Sequence, residues 1–83
     1  MTKECIRLRN FLMDLDQLML NNEYWDDDKG ECVITITQDE CYDTLMETKE
    51  YHLLTATKVR GFIKIFFEDY GARSSILRAF KAF

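Results

Sequence analysis

The sequence has 83 residues, enough for one small domain, and is 47% hydrophobic and 13% aromatic, which supplies a core. That length and composition exclude a disordered chain and a two-domain enzyme with a deep cleft; three glycines and no proline exclude collagen-like, linker-rich and low-complexity sequences. Charged residues make up 31% of the chain, 15 acidic against 11 basic, for a formal net charge of −4.

Residues 3–21 carry the first pattern. Cys5, Leu8, Phe11, Leu12, Leu15, Leu18 and Met19 fall on one arc of a 3.6-residue wheel, with Arg7, Asn10, Asp14 and Gln17 opposite, which predicts an amphipathic helix. Ile6, Met13 and Leu20, spaced seven apart, form a second apolar stripe, separated from the first by Arg9 and Asp16. A helix with two apolar stripes touches two things. The expectation is a central helix covered on both sides by its own chain; the sharper reading makes Ile6, Met13 and Leu20 a seam for another copy or a partner.

Asn21, Asn22 and the acidic run Asp26–Glu31 end this helix and read as a solvated turn. The run is not a calcium loop: with Gly30 as the obligatory glycine, Lys29 takes the fifth position and Ile36 the place of the bidentate glutamate. Cys32–Thr37 is β-branched at all five positions after the cysteine and is predicted as a strand. Thr37-Gln-Asp-Glu40 is a capping box that opens a helix with Cys41, Tyr42, Leu45 and Met46 on its stripe, running to about Lys49. Tyr51–Thr57 is predicted to be extended and to pair with the strand, which otherwise has no ladder partner.

Val59, Phe62, Ile63, Phe66, Phe67 and Tyr70 match helical spacing, and Gly71 follows where a helix ends in the left-handed conformation. Gly61 weakens that helix by about 1 kcal/mol relative to alanine; the rival reading is a strand over 61–67 with Ile63, Ile65 and Phe67 on one face. Ser74 or Ser75 caps a final helix with Ile76, Leu77, Phe80 and Phe83 inward. Together these elements predict a single compact domain over residues 1–83, a helix-dominated α+β fold with a long N-terminal helix and a short β element; an all-α fold is the second choice.

Cys5, Cys32, Cys41 and the sole histidine, His52, make a conceivable zinc set, but the closest two cysteines are nine residues apart, unlike the short spacing of structural knuckles. Free thiols are expected, and no metal or cofactor. The first residues lack an apolar signal core, no run of 18 apolar residues exists, and there is no lipidation pattern, so a cytoplasmic protein without membrane association is expected. Catalysis is not expected: there is one histidine, in an apolar, threonine-rich context, and no nucleophile elbow, phosphate loop or dinucleotide fingerprint.

Charge is distributed unevenly. Residues 1–50 carry a net −8 and residues 51–83 a net +4. One reading is that the two halves neutralise each other in the folded domain, or that the acids simply keep it soluble. The functional reading is an acidic face that docks on the basic, nucleic-acid-binding surface of another protein and inhibits or regulates it. The candidate residues are Asp26, Asp27, Asp28, Glu31, Asp39, Glu40, Asp43 and Glu47, with Tyr24 and Trp25 as anchors, because exposed aromatic side chains dominate binding hot spots; Trp25 could equally staple the loop to the core. In size and charge the chain resembles small acidic accessory proteins of phages and mobile elements.

Residues 63–82 resemble a helix-turn-helix, with Gly71 at the turn, Tyr70 and Ala72 flanking it, and Leu77 and Phe80 packing the second helix on the first. Phe67 departs from that motif, which places a small residue there. The resemblance implies a DNA-binding regulator presenting Arg73, Ser74, Ser75 and Arg78 outward and dimerising through Ile6, Met13 and Leu20.

Overall fold

The computed structural model describes residues 2–82. Its first element, α1 (Lys3–Leu20), starts where the Thr2 hydroxyl accepts the Cys5 N–H at 3.1 Å and stops at Asn21–Asn22, where the Asn22 side chain donates to the Leu18 carbonyl. Two short strands, β1 (Glu23–Asp26) and β2 (Glu31–Ile34), pair antiparallel. Helix α2 (Gln38–Leu45), a 3₁₀ helix (Lys49–Leu53), α3 (Ala56–Glu68) and α4 (Tyr70–Lys81) complete a helix-dominated α+β fold. The capping box is present: Glu40 N–H donates to the Thr37 hydroxyl and Thr37 N–H to the Glu40 carboxylate, at 3.0 and 3.1 Å.

The core follows from the helical stripes. Phe11, Leu12, Leu15 and Met19 of α1 meet Cys41 and Leu45 of α2, Tyr51, Val59, Ile63 and Phe66 around α3, and Leu77 of α4. Helix α1 packs on α2, α3, α4 and the 3₁₀ helix, so it is the hub. It is not covered on both sides, however. Ile6, Met13 and Leu20 are 38%, 43% and 51% exposed, on the side away from Phe11 and Leu15. The expectation of a fully enclosed central helix is thus corrected.

Three further expectations change. The partner of β2 is β1, not residues 51–57, whose first part is the 3₁₀ helix. A four-residue loop closes the hairpin with little loss of chain entropy. Tyr51 instead turns inward, its ring edge-on to Phe11 at 5.5 Å, its hydroxyl donating to the Asp14 carboxylate. Residues 59–68 are helical, as preferred over a strand, but the helix ends at Glu68. Gly71 is not a left-handed terminator: it lies in the first turn of α4, and Gly30 is the only described residue with positive φ, at 64°. Asp69 alone joins the two helices, and its carboxylate caps α4 by accepting the Ala72 N–H at 3.0 Å. Ser74 and Ser75 are therefore interior to α4 rather than caps, and Phe83 lies outside the described residues.

No helix among the described residues is long and apolar enough to cross a membrane.

Candidate interaction surface

The acidic run forms the tip of the β1–β2 hairpin. Asp26 makes the turn: its Oδ1 accepts N–H bonds from Asp28 at 3.0 Å and Lys29 at 3.3 Å, and its carbonyl accepts from Gly30 at 2.8 Å. Gly30 supplies the left-handed conformation that lets β2 begin. Strand alternation sorts the side chains. Glu23, Trp25, Cys32 and Ile34 share one face, and Tyr24, Asp26, Glu31 and Val33 the other. Trp25 is 62% and Tyr24 54% exposed, so Trp25 does not staple the loop to the core.

Arg73 holds the base of this hairpin. Its side chain is buried, with 3% of the residue exposed. Nε and Nη2 donate to Asp16 Oδ1 at 2.9 and 2.7 Å, and Nη1 donates to Glu23 Oε2 at 3.3 Å. Its guanidinium also lies 5.8 Å from the Tyr70 ring centre and 6.0 Å from that of Phe66. One residue of α4 thus ties α1 to β1. Burial alone would lower the Arg73 pKa, but the hydrogen bonds and charges of Asp16 and Glu23 outweigh it and raise the pKa further. On the same hairpin face, desolvation first and then the Glu23 carboxylate raise the pKa of the Cys32 thiol, against a smaller lowering by Arg73.

This arrangement corrects the outward placement of Arg73 in the helix-turn-helix reading. Ser74 is half-buried, and only Ser75 and Arg78 are exposed. The single-residue junction at Asp69 also differs from the three- or four-residue turn of that motif.

The remaining acidic candidates divide by role. Asp39 pairs with Arg60 at 3.2 Å, and Arg60 stacks 3.9 Å over the Tyr42 ring. Glu40 closes the capping box. Asp27, Asp28 and Glu31 on the hairpin, and Asp43 and Glu47 on or just after α2, form no ion pair among the described residues. Asp39, Asp43 and Glu47 follow one another at four-residue intervals, away from the buried Cys41 and Leu45. The candidate acids thus occupy two separate elements, the hairpin tip and the outer side of α2.

The cysteines are dispersed: Cys5 and Cys32 are exposed on α1 and β2, and Cys41 is buried in α2. His52 is exposed, and its Nε2 donates to the Met46 carbonyl. Among the described residues no group of three His, Cys, Asp or Glu side chains could hold a metal ion.

Arg73 is the residue that sequence reasoning misplaced. Its partners lie 57 and 50 positions away, and no local pattern marks such a contact. No known protein family, curated protein or solved structure matches this chain.

Proposed function

We propose that this protein is a small acidic interaction module, acting in the cytoplasm by binding rather than by catalysis. Its β1–β2 hairpin docks on the basic, nucleic-acid-binding surface of another protein and thereby inhibits or regulates it. The observation that carries this reading is the pairing of Tyr24 and Trp25, both more than half exposed, with the unpaired carboxylates of Asp27, Asp28 and Glu31. Exposed tryptophan and tyrosine beside charge supply contact area at little entropic cost, while the carboxylates steer and orient a basic partner. The buried Arg73 anchor favours it as well, because a hairpin already fixed loses little freedom on binding. Asp43 and Glu47 add negative charge on and just after α2, a separate element from the hairpin.

The test has two arms. In the first, a labelled mixed-sequence duplex is titrated with the protein at low salt, where phosphate contacts are strongest; no binding is expected. In the second, basic proteins captured by the wild-type protein are challenged with duplex DNA and with the variants Trp25→Ala and Asp27→Lys/Asp28→Lys. Capture that duplex DNA displaces and both variants abolish supports the reading. Capture insensitive to both variants, or saturable duplex binding that weakens with salt and is lost in Arg78→Ala, overturns it, the latter in favour of a DNA-binding α4.

A further inference from the structure

Helix α1 carries an apolar seam that the described residues leave open. Ile6, Met13 and Leu20 are partly exposed in a line along its outer side. They are spaced symmetrically, with Ile6 seven residues before Met13 and Leu20 seven after. A two-fold axis at Met13 therefore lays Met13 on Met13 and Ile6 on Leu20, the self-complementary pattern of an isologous contact.

The flanking charges choose the direction. Arg9 and Asp16 border the seam on one side, and Asn10 and Gln17 on the other. In an antiparallel pair, same-side residues face each other across the axis. Arg9 is four residues before Met13 and Asp16 three after, so the two meet within about one residue rise, roughly 1.5 Å. Asn10 and Gln17 meet in the same way and can exchange amide hydrogen bonds. In a parallel pair the opposite sides meet, Arg9 faces Asn10, Asp16 faces Gln17, and no opposite charges pair. The parallel arrangement also aligns the two helix dipoles unfavourably.

The local charge supports the same direction. Arg9 is half-buried and forms no ion pair among the described residues. Asp16, Glu23 and Arg73 form a cluster with two negative charges against one positive. We infer that a second copy of this chain covers the seam, with α1 antiparallel to its counterpart, and that Arg9 of each copy neutralises the excess charge at Asp16 of the other. This inference is independent of the hairpin reading, since the hairpin tip takes no part in it. Three apolar side chains per copy bury less than the roughly 1,200 Å² of stable complexes, so the dimer is weak and concentration-dependent.

Sedimentation velocity up to about 1 mM protein, a range suited to weak association, should show the average mass rising toward that of a dimer. Met13→Asp should leave a monomer with unchanged circular dichroism, because Met13 is exposed. Arg9→Glu should weaken association about tenfold, the effect of two lost exposed ion pairs. Direction is read by cross-linking in a Cys5→Ser/Cys32→Ser background. Met13→Cys should form a disulfide-linked dimer under mild oxidation, and Ile6→Cys should link only when mixed with Leu20→Cys. A protein that stays monomeric across the range, or Ile6→Cys chains that link to one another as readily as Met13→Cys chains, would overturn the inference.

Discussion

Arg73→Ala separates the structural role of this arginine from a nucleic-acid role. The substitution removes three hydrogen bonds of 2.7–3.3 Å to carboxylates and a longer one of 3.5 Å to the Asp16 carbonyl, and leaves Asp16 and Glu23 without their cation. Breaking a buried ion pair by deleting one partner costs about 3–5 kcal/mol. The side chains of Asp16 and Glu23 keep 20% and 11% of their surface in contact with solvent, so water relieves part of the stranded charge. The lower end, about 3 kcal/mol, is therefore expected. A domain of this length has a total stability of about 4–12 kcal/mol, so the loss is a large share. At about 4–8 °C per kcal/mol it lowers Tm by about 12–24 °C.

The assay is urea unfolding followed by circular dichroism, with hydrogen exchange to locate the damage. Protection should fall first in β1 and β2, because Glu23 anchors the hairpin. Arg73→Met combined with Asp16→Asn and Glu23→Gln should regain most of the loss, since an apolar side chain beside neutral amides strands no charge. An Arg73→Ala protein within about 1 kcal/mol of wild type, with unchanged hairpin protection, would refute the anchoring argument. If that variant folded normally and lost affinity for duplex DNA, the outward reading of Arg73 would return.

Other changes test the local geometry. Gly61→Ala should stabilise α3 by about 1 kcal/mol, because the site is mid-helix and nothing lies within 4 Å of the new Cβ; Gly30→Ala should destabilise by about 1 kcal/mol, because its φ is +64°. Both are read from urea midpoints. Thr37→Ala removes the hydroxyl that accepts the Glu40 N–H and should cost about 1 kcal/mol in the same assay. The alkaline limb of stability should respond to Cys41, whose thiol is pushed up to about 11 by burial first and by Glu40 second. The unfolded thiol ionises near 9.0 and the folded one later, so this contribution is complete below about pH 9 and is lost as pH rises toward 11. Burial and the bond to Asp14 raise Tyr51 in the same sense. Thermal melts of Cys41→Ala across that window should show a shallower decline than wild type, leaving the Tyr51 share at the top of the range.

What the sequence disclosed, and what it hid, follows from the range of each interaction. The stripe through Phe11, Leu12, Leu15 and Met19, and the one through Val59, Ile63 and Phe66, repeat within a single helix, so periodicity finds them. The Thr37–Glu40 box is readable for the same reason: its two hydrogen bonds span three residues. The strand β1 was hidden because Glu-Tyr-Trp-Asp is short and half acidic, resembling a loop more than a strand. What makes it a strand is its neighbour across a tight turn, with Thr35 N–H reaching back to the Asn22 carbonyl at 2.7 Å. Gly71 misled for a related reason. Glycine after an apolar run signals a helix end, but Asp69, two residues earlier, both closes α3 and caps α4.

The charge asymmetry resolves into two parts that composition alone cannot separate. Arg60 and Arg73, from the basic half, pair with Asp39, Asp16 and Glu23 from the acidic half, so some opposite charge is spent holding the domain together. The carboxylates left over are not scattered at random: three stand at the hairpin tip, beyond the residue that Arg73 binds. Glu23 and Trp25 share a hairpin face, one turned to the buried guanidinium and the other largely in solvent. Neutralising Glu23 at the base removes a repulsion that would otherwise push the acidic hairpin away from Asp16 and α1. The buried cation therefore allows the tip to remain acidic without detaching from the domain. A hairpin stabilised only by its own four-residue strands would be marginal in water, and its aromatic side chains would be free to collapse inward. If the hairpin docks on a basic partner as proposed, Arg73→Ala should weaken that binding although it makes the domain more acidic, and binding that instead strengthens with the added net negative charge would refute the link between anchor and tip.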